Sequence, residues 1–153
     1  MSGSGSGSGD AWVYGPEGGK FWGRFGAAGL LVHHRDLGVL LQHRAAWSHQ
    51  GDTWGLPGGA RHENESAFEA AVREAAEEAG VPAHLLRMQF TSVFDLGFWS
   101  YTTVVVQALE SFEPVISDRE SIALRWVEPD AVDLLPLHPG FAASWPGLRA
   151  RLG

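Results

Sequence analysis

A chain of 153 residues, 44% hydrophobic and 19% charged, has the apolar content of one packed domain and too much of it for intrinsic disorder. Without cysteine there is no disulfide framework, thiolate nucleophile or cysteine-rich zinc site, and a net charge of -7 argues against coating a polymeric nucleic acid. No apolar run reaches the ~18 residues that span a bilayer, and the N-terminus lacks the layout of a secretion signal, so the sequence reads as soluble, cytoplasmic and independent of membranes.

In chain order, residues 1–10 form a flexible Ser/Gly tail, native or engineered, ahead of a single domain over 11–153. From Trp22 the text turns β-like: Phe25 to His33 and Val39 to His43 predict two antiparallel strands joined by a turn at Arg35-Asp36-Leu37-Gly38. Ala45 to Arg61, with four glycines and a proline, reads as a long loop bordering a site. Ser66 to Ala79 is the clearest helix, opened by a capping box of Ser66 and Glu69 and closed by Gly80 and Pro82. Gln89 to Leu96 and Tyr101 to Leu109 predict strands turning at Gly97, and Arg125 to Val127 a short last one. Pro129 starts a brief helix, and Phe141 to Leu152 a terminal one that Pro146 kinks or splits. The order implies an α+β fold, a mixed β-sheet sandwiched between helices.

The helix concentrates the chemistry. At about 100° per residue, Phe68, Ala71, Val72, Ala75 and Ala79 share one apolar stripe. Glu74, Glu77 and Glu78 form a carboxylate patch at i,i+3 and i,i+4 spacing, each like-charge neighbour costing a few tenths of a kcal/mol. Glu69, Arg73 and Glu77, each four residues apart, suggest an acid–base–acid ladder, which leaves two carboxylates in want of a partner. A hard dication with oxygen ligands supplies one. The ordinary alternative is a solvated acidic face.

The surrounding series is Gly59, five residues, Glu65, seven residues, then Arg73-Glu74-Ala75-Ala76-Glu77-Glu78-Ala79-Gly80-Val81. This resembles the Nudix box: all seven fixed Gly, Glu and Arg positions are present, a coincidence with odds on the order of 10⁻⁵ or less. Ala75 departs from the pattern, which favours a larger aliphatic residue there.

The resemblance implies an α/β/α sandwich and Mg²⁺- or Mn²⁺-dependent hydrolysis of a nucleoside diphosphate linked to another moiety. A nucleoside triphosphate, in oxidised form included, is the leading substrate. ADP-ribose, nucleotide sugars and dinucleoside polyphosphates stay open, as does a nucleotide-binding module without turnover. By the same resemblance Glu74, Glu77 and Glu78 are metal ligands, with a backbone carbonyl of Gly58 or Gly59 completing the sphere. Arg73 orients the glutamates, Glu65 supports the loop or a second metal, and Glu120 resembles the further acidic group, ligand or base, of MutT-type members. Arg44 resembles the family's phosphate-contacting arginine. Trp47, Trp54, Phe98, Trp99 and Tyr101 border the mouth, with Trp54, Phe98 and Trp99 the candidates to touch a base. His43 is the weaker case beside Arg44, and His138 and Trp145 read as packing. The partner is a small nucleotide, with room for a homodimer.

Overall fold

A computed structural model describes residues 8–46, 51–117 and 121–152. A small antiparallel hairpin comes first, β1 (Trp12–Tyr14) with β2 (Lys20–Trp22), in register Trp12 to Trp22. The sequence pattern missed it because strands of three residues are too short to show alternation.

The main sheet contains β3 (Ala27–His34), β4 (Gly38–Arg44), β5 (Trp54–Gly55), β6 (Gly58–Ala60), β7 (Leu86–Asp95), β8 (Ser100–Ala108) and β9 (Ser121–Val127). Along one edge β3 runs parallel to β8, from Ala27 beside Tyr101 to His33 beside Gln107. Its other edge holds β4 through only two pairs, His33 with Val39 and His34 with Gly38. Past that hairpin the two strands splay. β6 pairs with β3 at Ala27 to Gly29, and β5 pairs with β4 at Gln42 and His43, so the expected long loop carries two short strands within it, lodged in the fork, while its other described residues are loop and turn. The last strand is longer than its apolar core suggested, since β9 pairs with β4 from Ser121 to Val127.

Helix α1 (Ala67–Ala79) lies on one sheet face with its predicted caps: Ser66 Oγ accepts from Glu69 N, Glu69 reaches back to Ser66 N, and Gly80 takes the left-handed conformation at φ 63°. The residues it buries are Ala70, Ala71, Ala75 and Ala79, over Leu30, Leu40, Val104 and Val106. Phe68, placed by periodicity in this stripe, is 39% exposed. It has the right angle but sits in the first turn, and Ala70, two residues on, is buried in its place. Alanines keep the helix close to the sheet, which explains Ala75 in place of a larger residue.

Helix α2 (Pro139–Arg151) covers the other face, where Phe141, Trp145 and Leu148 pack on Leu31, Val39, Leu41 and Val105. Each fully buried side chain of this size contributes roughly 1.5–3 kcal/mol. Pro146 does not split the helix. It and Ala142, whose carbonyl loses its donor, both lie on the exposed side, where water replaces the missing bond. Pro129–Leu134 forms the brief helix expected there, as 3₁₀ turns.

Candidate active site

The fork between β3 and β4 opens beneath the carboxylate side of α1. Gly58 and Gly59 cross it on β6, opposite Gly29 and Ala28. A Cβ at Gly59 would stand 2.2 Å from Glu74 Oε2, and one at Gly58 would stand 2.3 Å from the carbonyl oxygen of Ala28. Glycine at both positions is therefore the condition for strand, loop and helix carboxylate to meet.

Arg73 organises the cluster, keeping only the long Glu77 rung of the expected ladder along the helix. Its Nε donates to Glu65 Oε2 at 2.8 Å and its Nη2 to Glu65 Oε1 at 2.9 Å, a two-pronged clamp. Nη1 donates to Glu74 Oε1 at 2.6 Å and Nη2 also to the carbonyl of Ala60 at 3.2 Å. Glu77 stays 3.7 Å away with its side chain 60% exposed, and Glu69 is committed to the capping box. The tertiary partner displaces the local one because Glu65, on the loop, offers both carboxylate oxygens in the guanidinium plane. The clamp pulls the Glu65 carboxyl down to about 2, and holds the Arg73 guanidinium well above its ordinary value, in each case chiefly through their mutual hydrogen bonds.

Glu78, one turn beyond Glu74, faces the sheet, where Gln42 Nε2 donates to its Oε1 at 3.0 Å. The Tyr101 ring is partly exposed, but its hydroxyl lies deep in the fork, 1.9 Å from where a Cβ on Gly29 would be. Burial, with repulsion from Glu78, drives its pKa far up, and Arg44 opposes this in part. Arg44, at the end of β4, thus lies within electrostatic reach of the same fork.

Among the described residues no three carboxylate or imidazole groups already converge to enclose an ion. The donor set still fits a hard dication: three carboxylates on one helix face, and a glycine backbone at Gly59 that leaves room for the Glu74 carboxylate.

The expected aromatic mouth is distributed differently. Trp54 is buried to 7%, stacked on His43 with ring centroids 4.6 Å apart, and belongs to the core under α2. His43 is held there by Asp52 at 3.2 Å. Phe98 and Trp99, at the β7–β8 turn, anchor the β1–β2 hairpin: Phe21 packs on both, and Trp99 Nε1 donates to the carbonyl of Trp22 at 3.1 Å. Asp95 and Ser100 line, with Arg24, Phe25 and Trp99, a shallow hollow of about 280 Å³. Glu120 and Trp47 lie outside the described residues. His138 caps α2 and donates its backbone N–H to the Trp54 carbonyl at 2.8 Å. Sequence reasoning missed Gln42 and Ser121, although a glutamine closing the run Val39-Leu40-Leu41 on a buried strand was a visible signal.

A model of the NUDIX domain matches residues 23–146. The chain belongs to the Nudix family. A Mycobacterium tuberculosis relative, named "Putative 8-oxo-dGTP diphosphatase 3", is 54% identical over 94% of this chain and 70% of its own length. A Bifidobacterium longum nucleoside triphosphate pyrophosphatase/Nudix hydrolase fusion protein is 40% identical over 94% of this chain, which spans 32% of it. Among solved structures, the Nudix hydrolase RenU of M. smegmatis superposes with a TM-score of 0.84 at 52% identity, covering 93% of this chain and 94% of that one. A C. elegans Ap4A hydrolase shares the fold at a TM-score of 0.67 and 20% identity, covering 81% of this chain and 96% of that one. Membership of the family makes the chain a pyrophosphohydrolase.

Proposed function

We propose that this Nudix hydrolase cleaves nucleoside triphosphates, 8-oxo-dGTP foremost, to nucleoside monophosphate and pyrophosphate, with Mg²⁺ or Mn²⁺ held by Glu74, Glu77 and Glu78. The observation that carries the reading is the junction of Gly59 with Glu74, clamped by Arg73 and Glu65. The name of the mycobacterial relative supports the triphosphate over other diphosphate-linked nucleotides. Held by these carboxylates, a divalent cation would supply charge for the nonbridging phosphate oxygens and would acidify water. The residues do the rest. Arg73 keeps Glu65 ionised and Glu74 aimed along β6, Gly58 and Gly59 leave a carbonyl-lined approach, and Arg44 meets a phosphate at the mouth. Glu77, the most exposed carboxylate of the three on the helix, and Glu120 are the groups assigned to orienting or deprotonating the attacking water.

Hydrolysis adds the water oxygen to one phosphorus and breaks one bridging P–O bond. Incubation with Mg²⁺ and a nucleotide panel in ¹⁸O water, read by mass spectrometry, identifies both substrate and attacked phosphorus. Turnover of 8-oxo-dGTP to monophosphate and pyrophosphate is expected, abolished by chelation. Glu78→Gln is expected to lower kcat roughly 100-fold. Turnover confined to ADP-ribose or dinucleoside polyphosphates rejects the triphosphate assignment, and unchanged kinetics in Glu78→Gln reject its ligand role. A loss of under about threefold in Glu120→Gln removes that residue from the mechanism.

A further inference from the structure

Gln42 shares the α1 face of the sheet with Leu40 but is neither apolar nor exposed: it is 2% accessible. Its Nε2 donates to Glu78 Oε1 at 3.0 Å and to Ser121 Oγ at 2.6 Å, while its Oε1 is buried without a partner. Turning the amide over would set its oxygen against the carboxylate, so Glu78 fixes which way it points.

The second contact depends on a break in the sheet. β4 and β9 pair Gln42 with Leu124 and His43 with Ala123, but Arg44 with Ser121, skipping Ile122. In strict alternation Ser121 would fall on the α2 face with Ala123. The bulge moves it to the α1 face, against Gln42. An apolar side chain of similar length would fill this space without leaving a buried acceptor unpaired, so packing does not account for the glutamine.

We propose that Gln42, braced by Ser121, is a positioning residue that clamps one oxygen of Glu78 and presents that carboxylate to the divalent cation. The proposal rests on the ligand role given to Glu78 under Proposed function. An amide donor stabilises the ionised carboxylate, and its fixed geometry settles the glutamate's torsions during folding instead of at cation binding.

Gln42→Met keeps length and removes the donor. Manganese titrations followed by electron paramagnetic resonance, without nucleotide, are expected to show a roughly 10- to 100-fold weaker Kd in this variant. kcat should fall while KM for nucleotide holds, with thermal midpoint and near-ultraviolet dichroism as in wild type. In a Glu78→Gln background the same substitution should change Mn²⁺ affinity by less than about twofold, because the clamped group is already gone. Mn²⁺ affinity of Gln42→Met within about threefold of wild type overturns the clamp. If Gln42→Met does not fold, Ser121→Ala decides: loss of the brace should weaken Mn²⁺ binding by at least about threefold, and unchanged binding overturns the proposal. Wild-type protein that takes up no Mn²⁺ sinks the ligand role of Glu78 and the clamp together, whereas wild-type uptake matched by Gln42→Met sinks the clamp alone.

Discussion

Arg73 joins a loop, a strand and its own helix through one side chain, bonded to Glu65, Ala60 and Glu74. Lysine has one point charge where the guanidinium has a planar fork, so it cannot reproduce the clamp. Glu65 gives this a pH signature. Its folded pKa is depressed from 4.5 to about 2, so the stabilisation it contributes is complete above pH 4.5 and is lost as pH falls from there toward about 2. Urea unfolding between those limits should show stability rising with pH, and Glu65→Gln should flatten part of that rise while costing about 2 kcal/mol at neutral pH. An equal slope in wild type and variant would refute the assignment. At this scale the residue types were legible in the spacing from Gly59 to Glu78, but the partners were not. A helix i,i+4 rule points Arg73 at Glu69 and Glu77, and only the folded loop reveals Glu65 as the better acceptor.

At the scale of elements, α1 was readable down to its caps, because a capping box and a left-handed glycine are local chemistry. Ser66→Ala should cost about 1 kcal/mol, seen as a fall of about 2–4 °C in thermal midpoint, and an unchanged midpoint would discount the cap. The two glycines of β6 should separate stability from activity. At Gly58 an added methyl meets backbone, the Ala28 carbonyl at 2.3 Å, whereas at Gly59 it meets the mobile end of Glu74 at 2.2 Å. Gly58→Ala is therefore expected to lower the melting temperature. Gly59→Ala should keep it near wild type while displacing Glu74 and reducing kcat roughly tenfold or more. The reverse ranking would show that Gly59 serves the fold and not the site. The β1–β2 hairpin and the strands inside Ala45 to Arg61 escaped prediction because two or three residues have no period to detect; pairing with a neighbour is what makes them strands.

On the scale of the whole molecule, the site exists because β3 and β4 part after two pairs and Tyr101 fills the gap from β8. Gly29 is the point of closest approach, its absent Cβ only 1.9 Å from the Tyr101 hydroxyl. Gly29→Ala should destabilise by about 1–3 kcal/mol through overpacking. Adding Tyr101→Phe, which removes the clashing oxygen, should recover a measurable part of that loss in a thermal double-mutant cycle. Strict additivity of the two changes would show that they do not meet in the fork.

The linear order of residues was enough to establish the main strands, a capped helix and the carboxylate series that marks a Nudix hydrolase, since these depend on composition, period and spacing along a single segment. It did not decide which groups touch. That Glu65 holds Arg73, that Trp54 turns into the core while Phe98 and Trp99 hold a hairpin, and that a bulge at Ile122 brings Ser121 under Gln42 all depend on contacts between segments far apart in the chain. Such contacts are chosen by competition among partners in the packed state, where a better-oriented acceptor or one skipped residue outweighs what any short stretch prefers by itself.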